Sequence, residues 1–191
     1  MQRIETANQL SGRATGALFC AGFGALWLGL SFYALEWLGA TTVVALLAGL
    51  AALVAAALQL MRLARRWPRV PDDPAVGRAF AWINAAEWIA VGVTAFTLAK
   101  LHLDAYLMCA ITAIVGLHMF PLGRLFHYPA HYRAGAIMVL WAAASALLVP
   151  VEHLQGVSAL GTGILLWSAA AVNLAIAFRD ARRSAPVASM A

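Results

Sequence analysis

Glu87 is the residue of this sequence best placed to do chemistry. It sits near the middle of Arg78–Lys100, RAFAWINAAEWIAVGVTAFTLAK, a stretch long enough to cross a bilayer, which takes roughly 20 apolar residues. A charged group at that depth costs about 2.5–3.5 kcal/mol on insertion scales, so the carboxyl is expected to face the protein interior and find a partner there. At about 100° per residue, Asn84, Glu87, Trp88, Val91, Thr94 and Ala95 share one helical face. Ile83, Ala86, Ile89, Ala90, Val93 and Phe96 share the other. His118, in the next apolar stretch, is the natural proton partner for the carboxyl, and a carboxylate beside it can hold a cation. The competing reading is a polar knot that fixes helix register, because Asn, Gln and His often only join helices.

Further polar groups fall at similar depth. Counted from the arginine-rich helix ends, Asn84, His118 and Asn173 lie about 7 Å in and Glu87 about 12 Å in, with Gln59 slightly shallower. One shared internal cluster is the least costly arrangement for them in hydrocarbon. Arg124 is expected at the headgroup level or folded back toward that cluster. Trp27, Trp88, Trp141 and Trp167 fall near mid-membrane on four different stretches. If they converge, they wall an aromatic cavity beside Glu87, suited to a lipophilic cation through cation–π attraction and charge pairing. Otherwise they are bulky wedges or face lipid.

Six apolar stretches position these residues: about Ala14–Leu35, Leu38–Met61, Ala79–Ala99, Ala105–Gly123, Ala134–Pro150 and Leu154–Phe178. The chain is 63% hydrophobic and only 11% charged, too apolar for a soluble surface, so the expected fold is an all-α polytopic membrane bundle of six helices. Short links at Glu36–Gly39, Lys100–Asp104 and Val151–Gly156 make it three antiparallel hairpins, a single domain over 1–183. The longest link, Arg62–Gly77, reads as an exposed loop, and 184–191 as a disordered tail. All 12 arginines fall at one end of the predicted bundle and Lys100 at the other. The positive-inside rule then puts both termini in the cytoplasm, in a bacterial inner membrane. The net charge of +5 is explained by that topology, and no nucleic acid is implied. Cys20 and Cys109 are expected in opposite leaflets, too far apart for a disulfide. Small-residue stripes at Ala21, Ala25, Gly29 and at Ala48, Ala52, Ala56 allow close helix packing within the bundle or between copies. Gln59, His118 and Asn173 are each followed six residues later by Arg65, Arg124 and Arg179. Triplicated hairpins would produce this pattern, and so would arginines recurring at helix ends.

The segment Gly116–Gly135, GLHMFPLGRLFHYPAHYRAG, is the most distinctive. Pro121 removes a backbone donor and is expected to kink its helix near the Leu117 carbonyl. His127 and His131 have the spacing of a helical metal pair, but Pro129 lies between them and no acidic ligand is near, so they read as interfacial histidines. The pattern GLHxxPLxxLF with a following YxxG-like turn resembles an uncharacterised family of small multi-pass bacterial membrane proteins. That resemblance covers helices 3 to 5 and implies no activity. No GxGxxG, P-loop, HExxH, GxSxG or cysteine cluster occurs, and a haem wants more than His118 inside the spans. No cofactor and no metal site are expected.

The leading functional expectation is binding or transport of a small apolar or cationic molecule, proton-coupled through Glu87. The site residues would be Glu87, His118, Asn84, Trp88, Asn173, Gln59, Arg124, Trp27, Trp141 and Trp167. The alternatives are a membrane-embedded acid/base enzyme of isomerase type on a lipid-like substrate, and an accessory subunit without a ligand. A cavity reaching both surfaces favours the first, a pocket open sideways to lipid the second, and a filled interior the third.

Overall fold

Helix ends in this chain are set by caps that hydropathy does not register. In the computed structural model, which describes residues 4–184, Asp73 caps the third helix by accepting from the Ala75 N–H at 2.8 Å. Pro74 follows at the first helical position, where its missing N–H costs nothing. The helix therefore starts at 74, five residues before its apolar run. Pro129 opens the fifth helix in the same way. Among the described residues the α-helices are α1 Ala7–Ala34, α2 Ala40–Ala64, α3 Pro74–Lys100, α4 Leu107–Leu125, α5 Pro129–Leu148 and α6 Leu154–Arg183. A 3₁₀ turn, Asp104–Tyr106, precedes α4. All six α-helices are long and apolar enough to cross a membrane. The expected tail lies outside the described residues, apart from Ser184.

α1, α3 and α4 close without glycine. Glu36, His102 and His127 take positive φ of 59°, 55° and 50° just past the helix ends. The next N–H in each case bonds five residues back: Trp37 to Phe32, Leu103 to Leu98 and Tyr128 to Gly123. Each is a Schellman-type closure that satisfies otherwise orphaned carbonyls. His127 is therefore a helix-closing residue, exposed, while His131 stacks edge-on against Tyr128 at 5.2 Å. α4 runs unbroken through Pro121.

Each sequence hairpin keeps its two helices in contact, but the most extensive interface joins α1 to α6. The reason is periodic. Ala7, Leu10, Ala14, Ala17, Ala21, Gly24, Leu28 and Ser31 are buried on α1 at alternating steps of three and four. On α6, Gly156, Ala159, Gly163, Leu166, Ala170, Leu174, Ala177 and Ala181 are buried at similar steps. That spacing is a coiled-coil seam, here built from small residues that let the backbones approach. At the closest point, a Cβ on Gly163 would lie 2.9 Å from the Leu28 nitrogen and 3.0 Å from the Gly24 carbonyl oxygen. α2 joins the seam at the arginine-rich end through Ala57, Leu60 and Ala64. Of the two expected small-residue stripes, only Ala21 of the α1 stripe falls in this seam, Gly29 facing Leu46 of α2 instead, whereas Ala48 and Ala52 on α2 are exposed.

α4 and α5 form a second close pair. A Cβ on Gly135 would sit 2.5 Å from the Gly116 carbonyl oxygen. This pair is tied to α6 by Cys109 Sγ against Ser158 Oγ at 2.8 Å and Thr112 Oγ1 against Thr162 Oγ1 at 2.7 Å. α3 stands outside: it packs on α4 and has no buried residue.

Candidate functional site

α4 carries His118 and is fixed on its far side by the Gly116–Gly135 approach, two residues away. α3 lies along its near side and delivers Glu87. The Glu87 Oε2 is 3.4 Å from His118 Nδ1, with the side chains 16% and 7% exposed. That is close enough for charge pairing, yet it is not aligned as a hydrogen bond and leaves the buried Nδ1 without a hydrogen-bond partner. Around the pair is a groove of about 300 Å³, lined by Ile83, Ala86 and Ala90 of α3 and Ile114, Leu117 and Pro121 of α4. Ala86, Leu117 and Pro121 are exposed, so the groove opens on the flank of the bundle. Pro121 has no N–H to give the Leu117 carbonyl, one turn earlier. The groove wall is almost wholly apolar, with Glu87 and His118 among its lining residues.

The α3 face that meets α4 is turned from the expected one. Ile83 and Ala90 flank Glu87 on the groove side, while Trp88 is 61% exposed, with Ile89, Val93 and Phe96 also outward. An outward tryptophan costs nothing in lipid, so amphipathicity could not orient it. Asn84 donates to its own helix at the Phe80 carbonyl, 2.8 Å away. Gln59 and Arg124 are exposed. Gln59, His118 and Asn173 therefore occupy unlike environments despite their common spacing to an arginine.

The other central tryptophans do not wall a cavity beside Glu87. Trp167 lies in a slot between Gly24 of α1 and Gly49 of α2, where either Cβ would collide with the indole, and donates to the Ala21 carbonyl at 2.9 Å. Trp141 lies on Gly161 of α6 and donates to the Ser158 carbonyl at 3.2 Å. Trp27 is buried with Met138, Ala159 and Leu166. Each fills a gap that small residues leave on a neighbouring helix.

Asn173 belongs to a second polar centre, at the arginine-rich end, which sequence reasoning missed. Its Oδ1 accepts from the Tyr128 hydroxyl at 2.9 Å, and its Nδ2 donates to the Arg13 carbonyl at 3.0 Å. The Arg13 guanidinium lies over the Tyr128 ring, 5.5 Å from its centroid, and pairs with Asp180 Oδ2 at 2.9 Å. Both charges are buried, 11% and 3% exposed. Burial pushes the Tyr128 phenol above its ordinary value; Asp180 adds to this, and Arg13 and Arg133 oppose it. The available signal was Asp180 itself, an acid set among Arg179, Arg182 and Arg183. The single expected cluster is therefore two: Glu87–His118 between α3 and α4, and Arg13–Tyr128–Asn173–Asp180 across α1, α5 and α6.

Among the described residues, no group of three or more His, Cys, Asp or Glu is placed to hold a metal ion. Cys20 and Cys109 are both free thiols. The chain is an integral multi-pass membrane protein with six candidate spans among the described residues, and no family model, curated protein or solved structure matches it significantly.

Proposed function

We propose that the protein binds a small amphiphile carrying a cationic or hydrogen-donating head, taken sideways from the bilayer into the α3–α4 groove. The observation that carries this reading is the Glu87–His118 pair in the wall of a groove that opens on the flank. Glu87 supplies the anionic anchor, and Ile83, Ala90 and Ile114 provide an apolar bed for a short chain. His118, within charge-pairing distance of the carboxylate, holds it in place when protonated. The contact distance favours binding over acid/base catalysis. Two groups 3.4 Å apart make one polar point, not an acid and a base facing a substrate from opposite sides. With its arginine-rich end in the cytoplasm, as the positive-inside rule places it in a bacterial inner membrane, the groove lies in the inner leaflet.

The test uses three probes of one chain length: octylamine, octanol and octanoic acid. Thermal stabilisation of the detergent-purified protein is read for each. The amine should stabilise most, and Glu87→Gln should remove its advantage while the unliganded melting temperature is retained. Equal stabilisation by all three probes, or an amine preference that survives Glu87→Gln, would sink the reading.

A further inference from the structure

At the arginine-rich end, a second cavity of about 280 Å³ lies between the start of α1 and the end of α2, lined by Ala7, Ser11, Met61, Ala64, Arg65 and Arg69. Arginines at this end need no special reason, since topology alone accounts for them. These two differ from the rest in where the chain holds them. The link after α2 is strapped back onto α1 instead of hanging free. The Ala7 N–H donates to the Pro68 carbonyl at 2.9 Å. Asn8 brackets Val70, donating to its carbonyl at 2.8 Å and accepting from its N–H at 3.1 Å. Trp67 is buried against Ile4 and Ala7. The link is exposed along most of its length, as expected, yet fixed to α1, with Arg65 and Arg69 on one cavity.

The electrostatics of that cavity are unbalanced. Neither the Arg65 nor the Arg69 side chain has an ion-pair or hydrogen-bond partner among the described residues. Among the described residues, no carboxylate lines the cavity. Asp72 is engaged by Asn8 at 2.7 Å and Asp73 by the cap of α3. Two guanidinium forks and a hydroxyl over an apolar floor of Ala7, Met61 and Ala64 match an anionic phosphodiester whose other side is apolar. We infer that this cavity binds the phosphate of an anionic glycerophospholipid, its glycerol and acyl roots resting on Met61 and Ala64. The placement supports a lipid over a free phosphate: the cavity sits where α2 leaves its apolar span, at headgroup depth. Basic pockets between helices at this level are a recurrent way of holding such headgroups.

The experiment titrates the micellar protein with dioleoyl phosphatidylglycerol, dioleoyl phosphatidylcholine or inorganic phosphate, reading bound ligand by native mass spectrometry. Phosphatidylglycerol should bind tightest. Each arginine near a membrane surface is worth roughly a five-fold change in affinity, so Arg65→Gln with Arg69→Gln should cost about 25-fold. Arg66→Gln with Arg78→Gln removes the same charge from the same end outside the cavity, and should cost less than about five-fold. Arg65 and Arg69 are exposed, so the double variant should keep its melting temperature. If it does not, Arg69→Gln alone provides the reading, with about a five-fold loss expected. Equal losses in the two double variants would mean general surface attraction and overturn the site. So would phosphatidylcholine binding as tightly as phosphatidylglycerol. Inorganic phosphate binding as tightly as the lipid would overturn the lipid as occupant.

Discussion

Replacing Gly135 by alanine tests the placement of His118 from the far side of α4. A Cβ there would lie 2.5 Å from the Gly116 carbonyl oxygen, 3.0 Å from Met119 Cβ and 3.1 Å from Phe120 Cε2. An ordinary C···O contact is about 3.3 Å or more, so α4 and α5 must separate by roughly 0.8 Å at this point. The obstacle is backbone, which has no rotamer to move to, and Gly116 meets the reciprocal clash with Gly135. A gap of 0.5–1 Å forfeits about a quarter to a half of each dispersion contact across it, and each contact is worth about 0.1–0.2 kcal/mol. Over some tens of atom pairs the loss is roughly 1–3 kcal/mol, the usual range for overpacking. Alanine regains about 1 kcal/mol of helix propensity over glycine, so a net loss of up to about 2 kcal/mol is expected. Gly92→Ala is the control, because nothing lies within 4 Å of a Cβ there. It should be neutral or stabilising by up to about 1 kcal/mol. Equilibrium unfolding in mixed micelles reads both variants. Should Gly135→Ala be as stable as Gly92→Ala, the helices are not in backbone contact and the account of how His118 is held is wrong.

Two further outcomes follow from the buried pair and from the arginine distribution. Arg13→Gln and Asp180→Asn should each destabilise, by at most about 3–5 kcal/mol, since each removes the 2.9 Å ion pair while Arg179 still lies 3.8 Å from Asp180 Oδ1. Arg13→Met with Asp180→Leu should recover at least half of that loss, and single-variant costs under about 1 kcal/mol in the same unfolding assay would count against the pair. For topology, single cysteines at Ala75 and Glu152 are introduced into a background lacking Cys20 and Cys109. Only Glu152→Cys should be labelled by an impermeant maleimide on intact cells, and labelling at Ala75→Cys would reverse the orientation.

Six helices and the meeting of Glu87 with His118 were legible in the sequence because polarity inside a hydrocarbon-length stretch is rare and costly. The orientation of everything apolar was not. In water, a helix shows its buried face by contrast with a polar one; in lipid both faces are apolar, and Trp88 can point outward without cost. The α1–α6 seam shares this difficulty. Alanine and glycine at steps of three and four look like any alanine-rich span until a partner with matching steps is known. Asp180 was not legible for another reason: its partner Arg13 is 167 residues away, and both lie at the arginine-rich boundary that topology alone explains. The helix starts at Ala7, Pro74 and Pro129 are set by caps and prolines, which a hydropathy window cannot see.

The union of α1 with α6 also sets a schedule. Synthesis at about 5–20 residues per second separates Arg13 from Asp180 by roughly 8–33 s. Throughout that interval α1 is in the bilayer with most of its alanine seam unfilled. α2 covers part of that surface early, at Ala57, Leu60 and Ala64. The remainder stays open to any helix with small residues at the right steps. A nascent chain built this way is most exposed to wrong partners when it is nearly finished, and it closes in one late event when α6 arrives.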